Sequence, residues 1–244
     1  MPDSISNPMR WYQTWWGVFL IGLLCLSIAV VLSFGAVVGY YVWKIKKGEG
    51  EEIAKQLNSA VQQKGSGMSV ARKDLESTDD PTLGNPEADL VIVKFIDFKC
   101  PNCLTEDPII RKIAQKYWEK VRIIVRDFPG ESIHKGASEL ALLASCAHEQ
   151  GKYWSLHDIL FANQGSLPET LNETEVKNLL SQAGVDFDKA KQCLAGSKAR
   201  AEVNRDYADG YKYQVRGTPT FFVNGQKVEG MVSYEAWEKF LGSL

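Results

Sequence analysis

The sequence predicts an α/β domain carried behind a single N-terminal transmembrane helix. Three observations carry this reading. Residues 17–42 contain no charged side chain. An apolar run at 90–95 leads into Cys100-Pro101-Asn102-Cys103 and a helical apolar face, and a second apolar run at 121–125 completes a strand–helix–strand unit. Helical patterns then fill 135–213 before strand character returns at 220–223.

The chain has 244 residues, enough for one domain of ordinary size with appendages. Its formal net charge is −2, with cations interspersed among acids, so no basic patch marks a nucleic-acid binder. Of its five cysteines, Cys25 lies in the uncharged segment. The other four, Cys100, Cys103, Cys146 and Cys193, form the even set expected of a domain that matures in an oxidising compartment.

The uncharged segment of about 26 residues would span roughly 39 Å as a helix, more than a bilayer core of about 30 Å. Trp11, Tyr12, Trp15 and Trp16 stand at one end and Tyr40, Tyr41 and Trp43 at the other, as interfacial aromatic belts do. It is longer than a signal-peptide core, and no small-residue cleavage site stands close after it. Leu23-Leu24 before Cys25 does not suit a lipoprotein. The expectation is an N-terminal tail at 1–15, an uncleaved single-span anchor at 16–43, and a polar stalk at 44–80. Gly35 and Gly39 have the small-xxx-small spacing of a helix contact. Lys44, Lys46 and Lys47 after the span outnumber Arg10 before it, which argues for a cytoplasmic C-terminal domain. The cysteines argue for an extracytoplasmic one, and that orientation is adopted.

Within the stalk, 51–64 has the spacing of a short amphipathic helix, ended by Gly65-Ser66-Gly67. The turn-rich stretch 79–86 leads into the strand at 90–95. Pro108 predicts a kink in the helix after Cys103. Helices are predicted at 135–150, 153–161, 173–183, 187–195 and 198–213. A strand at 220–223, a turn at Asn224-Gly225, a partner strand at 227–229 and a helix at 234–241 close the chain.

Two thiols three residues apart at a helix start share one face and reach each other as a small-ring disulfide. The first of them, Cys100, sits where unpaired N–H groups and the helix dipole favour a thiolate. The second informative stretch is Gly217-Thr218-Pro219-Thr220-Phe221-Phe222-Val223-Asn224-Gly225. Pro219 opens a strand, where a cis peptide is tolerated, leaving the Thr218 backbone free to pair with an extended substrate beside Cys100.

Cys-Pro-Asn-Cys at a strand end, the helical block and this Thr-Pro stretch together resemble the DsbA/BdbD-type thiol–disulfide oxidoreductases of the thioredoxin superfamily. So do the 79–86 lead-in and the stretch 148–161. The resemblance covers 79 to the C-terminus. It implies a thioredoxin fold at 81–244 with a helical insertion at about 131–213, and a cis-Pro219 packed on the dithiol. It also implies dithiol/disulfide exchange at Cys100 and Cys103 acting on reduced exported polypeptides. A quinone-linked membrane thiol oxidase, DsbB- or VKOR-like, would regenerate the protein, and no cofactor is implied.

Within that resemblance, Pro101 stiffens the ring and Asn102 replaces a histidine, giving a milder thiolate. Lys94 stands where the superfamily commonly carries a buried acid. It either modulates the thiolate, reaches the surface, or pairs with an acid. Asp97, three residues on, faces the other way by strand alternation. Some relatives bridge their helical domain, and Cys146 and Cys193 are compatible with such a disulfide; two separate thiols are the alternative. His134, His148 and His157 read as structural, and no metal site is expected, because only one cysteine knuckle is present. A reductase or isomerase on the same fold, or a tethered thiol metal-binding module, are the competing functions.

Overall fold

The computed structural model describes residues 15–44 and 69–242. The chain divides into two compact units, Met1–Lys64 and Gly65–Leu244. In the first, helix α1 spans Trp15–Lys44. Its 23-residue stretch Val18–Tyr40, with a mean hydropathy of 2.7 in an 18-residue window, is long and apolar enough to cross a bilayer. Ser27 and Ser33 donate to the carbonyls of Leu24 and Val30, so their hydroxyls are satisfied within the helix. Gly35 and Gly39 have open space around them. Of the tail expected at 1–15, Trp15 belongs to α1 and the rest lies outside the described residues, as does the helix expected at 51–64.

The second unit is built on a sheet of order β1-β3-β2-β4-β5. Its strands are β1 (Thr82–Gly84), β2 (Leu90–Ile96), β3 (Val121–Asp127), β4 (Thr220–Val223) and β5 (Gln226–Glu229). β2 and β3 run parallel, linked by helix α3 (Pro101–Lys116), and the other pairs are antiparallel. This is a thioredoxin-like architecture. Strand β2 is buried along its whole length. Its alternation sends Val91, Val93 and Phe95 to a cluster with Phe222 and Tyr213, and Leu90 and Ile92 toward Ile110, Ile113 and Trp237. Helix α3 continues through Pro108 as one element of 16 residues, with Pro101 at its first position, where a missing N–H costs nothing.

The insertion comprises α4 (Ala137–His148), α5 (Tyr153–Ala162), α6 (Glu173–Gln182), α7 (Phe187–Ala195) and α8 (Lys198–Lys212). Helix α9 (Tyr234–Gly242) closes the chain. The apolar core of the insertion (Leu140, Leu143, Leu156, Leu160, Leu180) is continuous with Ile96, Phe98, Cys100 and Cys103. Asn172 and Glu175 form a capping box at the start of α6, and Asp186 caps α7. Cys146 and Cys193 are joined, tying α4 to α7 across a sequence separation of 47.

Two elements escaped the sequence. Helix α2 (Arg72–Leu75) is a single turn, and β1 is three residues pairing with β3. The compact unit also takes in part of what composition assigns to the stalk. Val70 donates its N–H to Gly225, Leu75 is buried, and Asp80 is buried at 3.4 Å from Arg126. These anchoring residues are isolated among polar neighbours, so no periodicity reveals them.

Arg126 fixes α8 to the end of β3. It donates to Asp206 at 2.7 and 2.9 Å and to Asp209 at 2.8 Å. Burial, and then the neighbouring Asp206 charge, push Asp80 up to about 8 despite the two nearby arginines. Helix α8 leads into the segment before β4 that carries Thr218 and Pro219.

Replacing both Cys146 and Cys193 by serine is expected to lower the unfolding free energy by up to about 4 kcal/mol, since the cross-link closes a long loop in the unfolded chain. Urea unfolding of the paired variant checks this. An unchanged midpoint would mean that the unfolded ensemble is constrained by other means.

Candidate active site

The turn between β2 and α3 carries the reactive sulfur. Asp97 follows the last residue of β2, and its carboxylate is buried beneath the turn. Its Oδ1 accepts from the Lys99 N–H at 2.8 Å, a local Asx turn. Its Oδ2 accepts from the Gly130 N–H at 2.9 Å and lies 2.6 Å from His134 Nδ1. The main-chain carbonyl of Asp97 takes the Cys100 N–H at 3.0 Å. Cys100 is thereby placed at the N-cap of α3.

Cys100 is 6% exposed and Cys103 is fully buried, one turn further in. Both are free thiols. Cys100 Sγ lies 3.1 Å from the carbonyl oxygen of Thr218, across the cis Thr218–Pro219 peptide. The hydrogen bond from the Cys103 thiol, opposed by burial, pulls Cys100 down to about 5, and contacts with Thr218 and the Cys103 and Asn102 backbone act in the same direction. Burial pushes Cys103 well above the usual thiol range, and its hydrogen bond to Cys100 and the charge there add to the rise. The two sulfurs are therefore unlike: one favours the thiolate and is reachable, the other holds its proton and is enclosed. Pro101 and Asn102 are exposed between them; Asn102 acts through its backbone rather than its amide.

The facing wall is fixed by short bonds. Thr220 Oγ1 donates to Gly217 O at 2.7 Å, and the Gly230 N–H donates to Pro219 O at 2.9 Å. Glu106, buried on α3 three residues after Cys103, accepts from the Val232 N–H at 3.0 Å and from Trp237 Nε1 at 3.3 Å. Its carboxylate thus ties the active-site helix to the segment that follows β5.

Lys94 is 1% exposed and pairs with Asp107 on α3, Nζ to Oδ1 at 3.3 Å. It thus pairs with an acid and does not reach the surface. Asp107 also meets Arg111 Nε at 2.9 Å and His157 Nε2 at 3.4 Å. Burial opposes its ionisation, but the bond to His157 and the His157, Lys94 and Arg111 charges hold it well below the usual carboxylate range. His157 is buried among Phe98, Phe161, Tyr153 and Trp154. Asp107, His157 and Asp158 come close enough together to ligate a metal ion. The Arg111 guanidinium already donates to Asp158 and lies 2.9 Å from His157 Nδ1, so a cation of the protein's own occupies that position.

Sequence reasoning missed Glu106 and Gln164. Gln164 belongs to a single 3₁₀ turn, Gln164–Ser166, after α5, and nothing in its sequence context announces it. The role of Asp97 had a readable sign: an Asp two residues before an amide at a helix entrance forms Asx turns.

The chain matches the family model described as thioredoxin over residues 76–243. It is 32% identical over 157 residues to Na(+)/H(+) antiporter NhaA 3 of Salinispora tropica, covering 64% of this chain but 23% of that protein, so it spans about a quarter of that relative's length. It is 26% identical to the probable disulfide bond formation protein D of Bacillus anthracis, covering 83% of this chain and 86% of the relative. Among solved structures, a thioredoxin-like oxidoreductase from Silicibacter pomeroyi superposes with a TM-score of 0.62 at 26% identity, covering 71% of this chain and 97% of that one. The chain belongs to the thioredoxin family.

Two outcomes are expected. Alkylation of the reduced protein across pH should label Cys100 with a midpoint near 5 and leave Cys103 unlabelled at neutral pH. The thiolate is present above that midpoint and lost below it, so a midpoint near 8 or 9 would refute the assignment. Replacing Lys94 by methionine removes a buried cation from Asp107 and should cost about 3 kcal/mol in urea unfolding. A neutral result would show that Arg111 and His157 suffice.

Proposed function

We propose that this thioredoxin-family chain is a membrane-tethered thiol–disulfide oxidoreductase that introduces disulfides into exported polypeptides. The observation that carries the reading is the Cys100 sulfur, held at a helix N-terminus, pulled down to about 5 and set 3.1 Å from the Thr218 carbonyl. A low thiol pKa stabilises the reduced protein relative to its disulfide, which makes the disulfide a stronger oxidant. The related protein of similar length, from Bacillus anthracis, is named for disulfide bond formation, and this supports the direction.

In the forward reaction a substrate thiolate attacks Cys100 Sγ of the Cys100–Cys103 disulfide. A substrate–Cys100 disulfide forms, the Cys100–Cys103 bond breaks, and Cys103 leaves as a thiolate that takes up a proton. A second substrate thiolate then attacks the substrate sulfur of the mixed disulfide. The substrate disulfide forms and Cys100 leaves as the stabilised thiolate. Two electrons have passed to the protein, and a quinone-linked membrane thiol oxidase takes them. The Thr218 backbone pairs with the extended substrate chain, and Pro219 keeps that edge against the dithiol. Helix α1 serves as the anchor that holds the domain on the extracytoplasmic side.

Equilibration with glutathione tests the direction. An oxidase should give a potential well above the approximately −270 mV of thioredoxin. A value near that figure would point to the reductase instead. In Cys103→Ser, Cys100 should attack a peptide disulfide and remain joined to one peptide sulfur while the other leaves as a thiolate, giving a trapped mixed disulfide, whereas Cys100→Ser should form none.

A further inference from the structure

The helical insertion touches the nucleophile's turn at two neighbouring points. Gln164 Nε2 donates to the Phe98 carbonyl at 2.9 Å and to the Cys100 carbonyl at 3.0 Å. Lys99 Nζ lies between these carbonyls in sequence and donates to Pro168 O at 2.5 Å and, more distantly, to Leu167 O at 3.5 Å. Residues 164–168 therefore clasp residues 98–100 from outside the βαβ unit. Both acceptors of Gln164 are carbonyls, so only the NH₂ end of its amide can serve them, which fixes its orientation.

The Phe98 carbonyl shares its peptide group with the Lys99 N–H, which Asp97 holds, and the Cys100 carbonyl precedes Pro101, which has no N–H. The Cys100 carbonyl accepts from Cys103 N–H at 3.1 Å and from Leu104 N–H at 3.2 Å, starting α3. The backbone of Asn102 and Cys103 favours the charged sulfur. A carbonyl swung toward Sγ would act in the opposite sense.

We propose that Gln164 is a positioning residue for Cys100: by holding the Phe98 and Cys100 carbonyls, it keeps oxygen dipoles turned from Sγ and the helix N–H groups turned toward it. The insertion is thus part of the thiol's electrostatic environment and not only a cover over the sheet. This assignment rests on Cys100 being the reactive thiol of the proposed oxidoreductase. It does not depend on the direction of electron flow. The titratable neighbours of the turn are Cys103 on α3, Asp97 and Lys99 within it, and His134, paired with Asp97, from the segment after β3.

The test uses the full-length protein with Gln164→Met, which keeps the side-chain length without a donor, and Gln164→Glu, which replaces the donor by an acceptor. Cys100 alkylation is followed across pH, beside the glutathione equilibrium and the thermal midpoint. Both variants should raise the alkylation midpoint by about half a pH unit, the size of a helix-end dipole effect. The glutathione equilibrium should move about threefold toward oxidised protein, the same shift read as a constant. An unchanged alkylation midpoint in either folded variant, with only the thermal midpoint lowered, would make Gln164 a structural strut and overturn the proposal. If one variant does not fold, the other decides. Should wild-type protein fail to oxidise reduced peptides, the functional reading falls, while the thiol titration still judges Gln164.

Discussion

The buried carboxylate of Asp97 receives the Lys99 and Gly130 amides and the His134 imidazole, while its own carbonyl receives Cys100. Four groups from two parts of the chain, the turn itself and the segment after β3, thus converge on one residue just after β2. A strand buried on both faces offers water no place to solvate a loose end, so the chain must leave the sheet with its polar groups paired. Asp97 does this pairing, and the helix that follows can begin with Cys100 at its N-cap only because the turn is closed in this way. The approach is close: a Cβ on Gly130 would sit 3.2 Å from Asp97 Oδ2. The reactive sulfur, the Thr218 wall and the insertion's clasp all refer their positions to this turn.

Much of the fold is legible in the sequence because its signals are local and repeated. The runs at β2 and β3 are apolar but for Lys94 in the one and Arg122, Arg126 and Asp127 in the other, as strands covered on both faces largely are. The helices of the insertion each carry an apolar stripe, and their predicted bounds differ from the observed ones by a few residues at most. The turn at Asn224-Gly225 has both residues at positive φ, as the dipeptide suggests. Short elements without periodicity were not legible: β1 has three residues and α2 four. Nor was the beginning of the domain, since Val70 and Leu75 are single apolar residues in a polar stretch, and Asp80 is buried through its ion pairs.

At the site, the thiol pair and the Thr-Pro wall were legible because their chemistry requires particular residue types at particular spacings. The charged residues around them were not, because their meaning depends on partners distant in sequence. Lys94 is the clearest case. Read alone, it is a cation where an acid is usual. In the fold it is one end of a buried network in which Asp107, His157 and Arg111 compensate one another. Burying such groups rarely adds net stability, but removing one leaves the rest uncompensated. The network therefore fixes the pairing of β2 with α3 more than it deepens the native well. Arg126 does the same for β3 and α8 with Asp206 and Asp209.

The two sulfurs are differentiated by a simple division of surroundings. Cys100 stands at the end of the helix, where N–H groups are unpaired; Cys103 stands one turn inside, where the backbone is paired and the neighbours are apolar. The Cys103 proton is itself the largest stabiliser of the Cys100 charge. The enclosed thiol thus works in the reduced state by keeping its proton. It must lose that proton when the disulfide reforms. Of the acids around the turn and α3, Asp107 is held ionised by its cations and Asp97 is committed to its turn, while burial raises Glu106 above the usual carboxylate range as it binds the segment after β5. In a dithiol so arranged, Cys100 is the sulfur placed to form a mixed disulfide, and Cys103 ionises as it displaces the bound sulfur.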